Sequence, residues 1–314
     1  MLRDFRPKDA PRYLEFLKAH FPEEDKILGT DPVAMERLVR RLFRWDVRIL
    51  LAVARALRRP IARFFVIEVD HRVVATTLLT FTQRAGYVSG VAVDPPFRRR
   101  GFARRLLRRA HAESRDAGRA YALLDVLTEN APARALYASE GYLPLRSHTV
   151  FLRPIGPPAT GADDAQPRSL RDFRREDAVA LRAVAERTLP PRIAEVLPVD
   201  AGQFRLPPAL LRALGSESRA WVLDDGSGPT AFLRATVSRA MASANLTAPV
   251  LGPAVPSPEA GALVRHALAW IAGRGAARVV TEVPDHLPAA LELLERAGFS
   301  SAYRVDTLYH PLHA

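Results

Sequence analysis

Nine residues near the start of the chain return in its middle. Leu2-Arg3-Asp4-Phe5-Arg6-Pro7-Lys8-Asp9-Ala10 and Leu170-Arg171-Asp172-Phe173-Arg174-Arg175-Glu176-Asp177-Ala178 agree at seven of nine positions, at an offset of 168. The ends of the two halves echo each other as well: Ala138-Ser139-Glu140-Gly141-Tyr142 matches Glu295-Arg296-Ala297-Gly298-Phe299, with the glycines 157 apart. Matching starts, ends and lengths predict two tandem copies of one fold. The offset shrinks by eleven, which places a net insertion in the first half, mostly over Asp31–Pro60. Arg153 to Asp164 is rich in proline and glycine and reads as a linker without packed structure. The predicted division is a domain over 1–154, a linker over 155–167 and a domain over 168–314.

Local patterning fills in both copies. Phe64–Val69 and Val73–Leu79 are β-rich runs around Asp70-His71, a hairpin signature, and Tyr87–Val93 is a further strand. Phe102–Ala117 has helical periodicity and stops at Gly118; Tyr121–Leu127 is a strand, and Pro132–Ser139 a short helix closed by Gly141. The second half repeats the order with Ala220–Leu223, Ala231–Thr236, Glu259–Ala272, Arg278–Val283 and Leu287–Ala297. Strands mixed with a few helices that do not strictly alternate indicate the α+β class.

Two segments of the first half carry chemistry. Val91-Ala92-Val93-Asp94-Pro95-Pro96-Phe97-Arg98-Arg99-Arg100-Gly101-Phe102-Ala103 is a strand running through an arginine and glycine turn into a helix. The first N–H groups of that helix and of the turn are free to converge on an anion, and Gly101 has no Cβ to keep phosphate away. About thirty residues later comes Asn130-Ala131-Pro132-Ala133-Arg134-Ala135-Leu136-Tyr137-Ala138-Ser139-Glu140-Gly141-Tyr142. Together they resemble the two signature motifs of the GCN5-related N-acetyltransferases, R/Q-x-x-G-x-G/A and N-x-x-A-x-x-L-Y-x-x-x-G-F/Y.

That resemblance implies tandem acetyltransferase folds, each a central mixed, mostly antiparallel sheet flanked by helices. It implies acetyl-coenzyme A as cosubstrate, with no metal, and direct transfer of the acetyl group to a primary amine. By the same resemblance the backbone of Val91, Ala92 and Val93 holds the pantetheine arm. Arg98, Arg99, Arg100, Gly101, Phe102, Ala103 and Arg104 cradle the pyrophosphate. Tyr137 lies near the sulfur and serves as general acid, and Asn130 orients the coenzyme arm or caps its helix. Many members place a glutamate on the strand before the cradle; Tyr87-Val88-Ser89-Gly90-Val91 offers none. Asp125 on the adjacent strand and Glu68 on an earlier one both read equally well as exposed or paired strand carboxylates; Asp125 is the candidate base, with a water chain to bulk or a substrate amine of low pKa as alternatives. The missing glutamate keeps a non-catalytic coenzyme A or acyl-coenzyme A sensor as the alternative.

Composition narrows the partners. The net charge of +12 lies entirely in the first half: residues 1–155 hold 29 Lys+Arg against 17 Asp+Glu, and residues 156–314 hold 17 against 17. A basic surface around the motifs suits a phosphate-bearing coenzyme. Only three lysines occur and no nucleic-acid recognition motif appears, so nucleic acid is not an expected partner. There are no cysteines, which excludes disulfides, thiolate metal sites and Cys nucleophiles. No apolar run suits a membrane span or signal peptide, so a cytoplasmic location is expected, as a monomer or homodimer acting on a small-molecule or peptide amine.

The second copy reads as degenerate. Aligning Gly261 with Gly101 puts Pro258 opposite Arg98 and Leu263 opposite Ala103, while aligning Gly298 with Gly141 puts Leu294 opposite Tyr137 and Leu287 opposite Asn130. Residues 31–60 read as one or two amphipathic helices with arginines between Leu38, Leu42, Ile49 and Val53: a cover helix, or a substrate lid.

Overall fold

The repeated nine-residue segment owes its identity to an ion-pair knot. The computed structural model describes residues 1–20, 62–156, 169–199, 201–204, 216–238 and 243–312; the helices expected over 31–60 and all but the first two residues of the linker lie outside them. Arg3, on strand β1 (Leu2–Asp4), donates to Asp9 at 2.7 and 3.0 Å and to Glu68. Arg171, on β7 (Leu170–Asp172), donates to Asp177 at 2.9 and 2.8 Å and to Asp224 at 2.6 Å. The backbone N–H groups of Arg6 and Arg174 donate to the same aspartates, each at 2.7 Å. Burial raises the Asp9 carboxyl, but the bonds from Arg3 and Arg6 outweigh it and the net shift is downward. Glu68 is therefore paired with Arg3.

Two units follow. Among the described residues, the first holds 1–20, 62–146 and 305–312. Its sheet runs β1, β2 (Ala62–Val69), β3 (Arg72–Phe81), β4 (Ala85–Val93), β5 (Tyr121–Leu127) and the Val305–Pro311 part of β13 (Ser300–Pro311). Neighbours are antiparallel except β4 and β5, which are parallel. Helix α1 (Ala10–His20) follows β1, α2 (Phe102–Asp116) connects β4 to β5, and α3 (Ala131–Ser139) follows β5. Helix α2 buries Leu106, Leu107, Ala110, His111 and Ser114, one stripe at helical spacing, and turns Arg104, Arg105, Arg108 and Arg109 outward. That stripe joins Phe65, Ile67, Leu79, Val88 and Leu124 in one core.

The second unit repeats this topology with β7, β8 (Ser216–Asp224), β9 (Pro229–Ser238), β10 (Ser243–Leu246), β12 (Arg278–Pro284) and the Ser147–Pro154 part of β6 (Leu143–Pro154), while the short β11 (Val250–Leu251) pairs with β9. Its helices are α4 (Asp177–Arg187), α5 (Pro191–Val196), α6 (Ser257–Ala272) and α7 (Pro288–Arg296). Here too the one parallel pair is β10 with β12. The boundaries read from the sequence follow chain order, but the units do not: the closing strand of each sheet comes from the other half. Residues 148–154 pair with β12, and 305–311 with β5. No helix among the described residues is long and apolar enough to cross a membrane.

Candidate active site

A one-residue bulge opens the sheet of the first unit. Thr76 pairs with Ala92 and Leu78 with Ser89, so Gly90 and Val91 together face the single residue Thr77. Gly90 takes φ 59°, a conformation glycine adopts without a Cβ penalty. The hydroxyl of Thr77 donates to the Ser89 carbonyl at 3.1 Å, which pins the bulge. Past this point β4 and β5 part. Their pairing runs only from Ala85 with Tyr121 to Val88 with Leu124, although β4 continues to Val93 and β5 to Leu127. Val91 and Val93 thus present backbone beside a gap while their side chains pack against the core, and Ala92 between them is buried.

The gap leads to the cradle. Pro95–Phe97 forms one 3-10 turn, and Arg98 ends it, donating from Nε to the Val93 carbonyl at 3.1 Å. Arg99 and Gly101 both have positive φ, 62° and 76°. These turns leave the backbone N–H groups from Arg99 to Arg104 without a carbonyl partner among the described residues; the first such bond is Arg105 N–H to Gly101, at 3.0 Å. Nothing lies within 4 Å of where a Gly101 Cβ would sit, so the approach is open. The Phe97 and Phe102 rings stack 6.5 Å apart, and Arg100 covers Phe97 at 5.2 Å. Arg98, Arg99, Arg100 and Arg105 have no carboxylate partner among the described residues. Arg104 departs from expectation: its side chain turns to Glu140 and to Ser139, at 3.2 Å, which leaves its backbone N–H as its contribution to the turn.

Tyr137, on α3, is buried and its phenol is pushed up to about 12 by desolvation. Asn130 caps α3, its side chain accepting from the Ala133 N–H at 3.2 Å. Asp125 is the first β5 residue past the last β4 pair; it accepts from the Tyr87 hydroxyl and, at 2.7 Å, from Thr307. Tyr87 and Thr307 were not expected from the sequence. Gly90 inside a strand was a legible bulge signal, whereas Thr307, 182 residues away, had none. Among the described residues no cluster of three or more His, Asp or Glu could hold a metal.

The second unit lacks this machinery. Its buried stripe Leu263, Val264, Ala267, Leu268 and Ile271 reproduces that of α2 at an offset of 157, the same offset that relates α7 to α3. This corrects the alignment of the cradles: Pro258, and not Gly261, stands in the Gly101 position. Pro256 and Pro258 remove backbone donors, and Glu259 accepts from Ser169 at 2.7 Å. A cavity of about 1350 Å³ lined by Val255, Pro258, Gly261 and Leu287 remains in the corresponding place.

The sequence profile of the acetyltransferase (GNAT) family matches residues 22–142. The structure is similar to the tandem GNAT protein from the clavulanic acid biosynthesis pathway, with 15% identity and a TM-score of 0.68, covering 100% of this chain and 99% of that one. It is also similar to a GCN5-related N-acetyltransferase from Sphaerobacter thermophilus, with 18% identity and a TM-score of 0.65, covering 100% and 96%. The likeness over both units shows the fold: the chain has the tandem GNAT fold, and its residues 22–142 match the acetyltransferase (GNAT) family.

Proposed function

We propose that the first unit transfers the acetyl group of acetyl-coenzyme A to the primary amine of a small molecule or peptide. The observation that carries this reading is the parting of β4 from β5 at the Gly90 bulge, directly beside a turn whose six N–H groups have no carbonyl partner among the described residues. The residues fit the coenzyme. Backbone N–H groups from Arg99 to Arg104 and the guanidinium groups of Arg98, Arg99 and Arg100 suit a pyrophosphate, and the Val91–Val93 backbone suits an extended amide-bearing arm.

When bound, acetyl-coenzyme A supplies a thioester carbonyl for the amine to attack and a thiolate to depart. The remaining work falls to the chain. Backbone N–H groups past the bulge polarise the carbonyl. Tyr137 stays protonated because burial raises its phenol, and it donates a hydrogen bond to the developing thiolate; full proton transfer would run uphill from a group at about 12. Asp125 receives the amine proton, its carboxylate held by Tyr87 and Thr307.

The test is calorimetric titration of the full chain with acetyl-coenzyme A, followed by a thiol-release assay over a panel of amines. Binding with turnover, lowered about a hundredfold by Tyr137→Phe at nearly unchanged coenzyme affinity, supports the mechanism. Binding without turnover makes the unit an acyl-coenzyme A sensor, and absence of binding removes both readings.

A further inference from the structure

The helix that carries Tyr137 is tied to the cradle helix through a set of polar groups, of which His111 and Tyr142 are buried. From one face of α2, Arg104 and Arg108 both bond Glu140, and His111 Nε2 lies 2.9 Å from the Tyr142 hydroxyl. His310, from the far end of the chain, donates from Nδ1 to the Gly141 carbonyl at 3.1 Å and stacks on His111 with centroids 4.5 Å apart. The turn held in this way ends α3. The Tyr142 N–H donates to the Tyr137 carbonyl at 3.0 Å, and the two rings meet edge to face at 5.8 Å. Tyr137, Tyr142 and His111 are 7%, 4% and 4% exposed.

The second unit is an internal control. At the offset of 157, Leu294 replaces Tyr137, Phe299 replaces Tyr142, Leu268 replaces His111, Gly261 replaces Arg104 and Ala297 replaces Glu140. Leu268, Leu294 and Phe299 are as buried as their counterparts. The same fold thus closes with apolar groups at these depths. An imidazole and a phenol out of water cost desolvation that their mutual bond only offsets, so packing alone does not call for them. The polar set stands only in the copy that has a tyrosine on the helix it holds.

We infer that His111 and Tyr142 are positioning residues for Tyr137, fixing the phenol relative to the phosphate cradle; this rests on the transfer reaction proposed above. Neither touches the reacting atoms. Both act by holding the α3 turn, with His310 as the clamp on its carbonyl.

The experiment uses the full-length chain with His111→Leu, Tyr142→Phe and both together, the residues the second unit carries, each also built on Tyr137→Phe. Circular dichroism verifies folding. The pair of substitutions is expected to lower kcat about tenfold at unchanged KM for acetyl-coenzyme A, and to cost nothing further in the Tyr137→Phe background. Equal fractional losses in both backgrounds, or none in either, overturn the inference. A readout independent of turnover is NMR of ring-labelled tyrosine, with Tyr137 identified by its loss in Tyr137→Phe. His111→Leu is expected to shift or broaden that resonance, and an unmoved resonance overturns the inference. A parent with no turnover over the whole amine panel removes the transfer reading, while the resonance still decides whether His111 positions Tyr137.

Discussion

His310 stacks on His111 with the ring centroids 4.5 Å apart and 24° between planes, although 199 positions separate them in the chain. The residue that completes the interior of the first unit thus follows the whole of the second in the chain. The same strand supplies Thr307 to Asp125.

Ending the chain after Arg304 is therefore expected to unfold the first unit. Val305, Leu308, Tyr309 and Leu312 are all buried, and β5 would lose its outer partner. At ~2 kcal/mol for each side chain the loss approaches the whole stability of a domain. Thermal unfolding followed by circular dichroism should lose one transition, and an unchanged melt would show that Val305–Pro311 is dispensable.

Gly101→Ala separates stability from binding. At φ 76° a side chain strains the backbone by about 1 kcal/mol, and the added methyl meets no protein atom within 4 Å. A fall of a few degrees in Tm is expected. Coenzyme affinity should drop about tenfold, because the methyl stands where phosphate approaches. The same drop in Tm with full affinity would take Gly101 out of the cradle.

His111 makes stability depend on pH. Burial, followed by the neighbouring His310 and Arg115, lowers its imidazole to about 4 from 6.5. Between those values the unfolded chain binds more protons, so stability should fall with pH from 6.5 down to about 4, by roughly 3 kcal/mol. Urea titrations over that range should show the slope in the parent and a flatter profile in His111→Leu. Parallel profiles would locate the titration elsewhere.

The two ion-pair knots should differ in strength. Arg3 is 8% exposed in its side chain and Arg171 25%, while Asp9 and Asp177 are 5% and 4%. Asp9→Asn strands the more buried guanidinium and is expected to cost about 3 kcal/mol, with Asp177→Asn costing less. Both carboxyls are held below their ordinary value, so their contribution is present above about pH 4 and lost as pH falls through the lowered value. Equal costs in the two variants would show that burial of the arginine does not set the strength.

The sequence by itself determined what depends on neighbours along the chain. The hairpin at Asp70-His71, the helix after Gly101, the short helix of Tyr137 and the repeat built on Arg3 and Asp9 all rest on contacts a few residues apart or on identical short strings. Asn130 as a cap was legible for the same reason, its partner Ala133 lying three residues away, whereas the pairing of Glu68 with Arg3 spans 65 positions. Tertiary structure alone decided which strand closes which sheet, because ladder bonds join backbone groups that carry no residue identity: Thr149 pairs with Val283, and Thr307 with Asp125. It decided that Arg104 turns to Glu140, since a helix face has several directions open to a long side chain and only the packed neighbour selects one. It also set the phase of the second cradle, where the buried stripe of α6, and not the glycine in its sequence, fixes the match: the core selects which face of a helix turns inward, and a lone Gly261 inside that helix selects nothing.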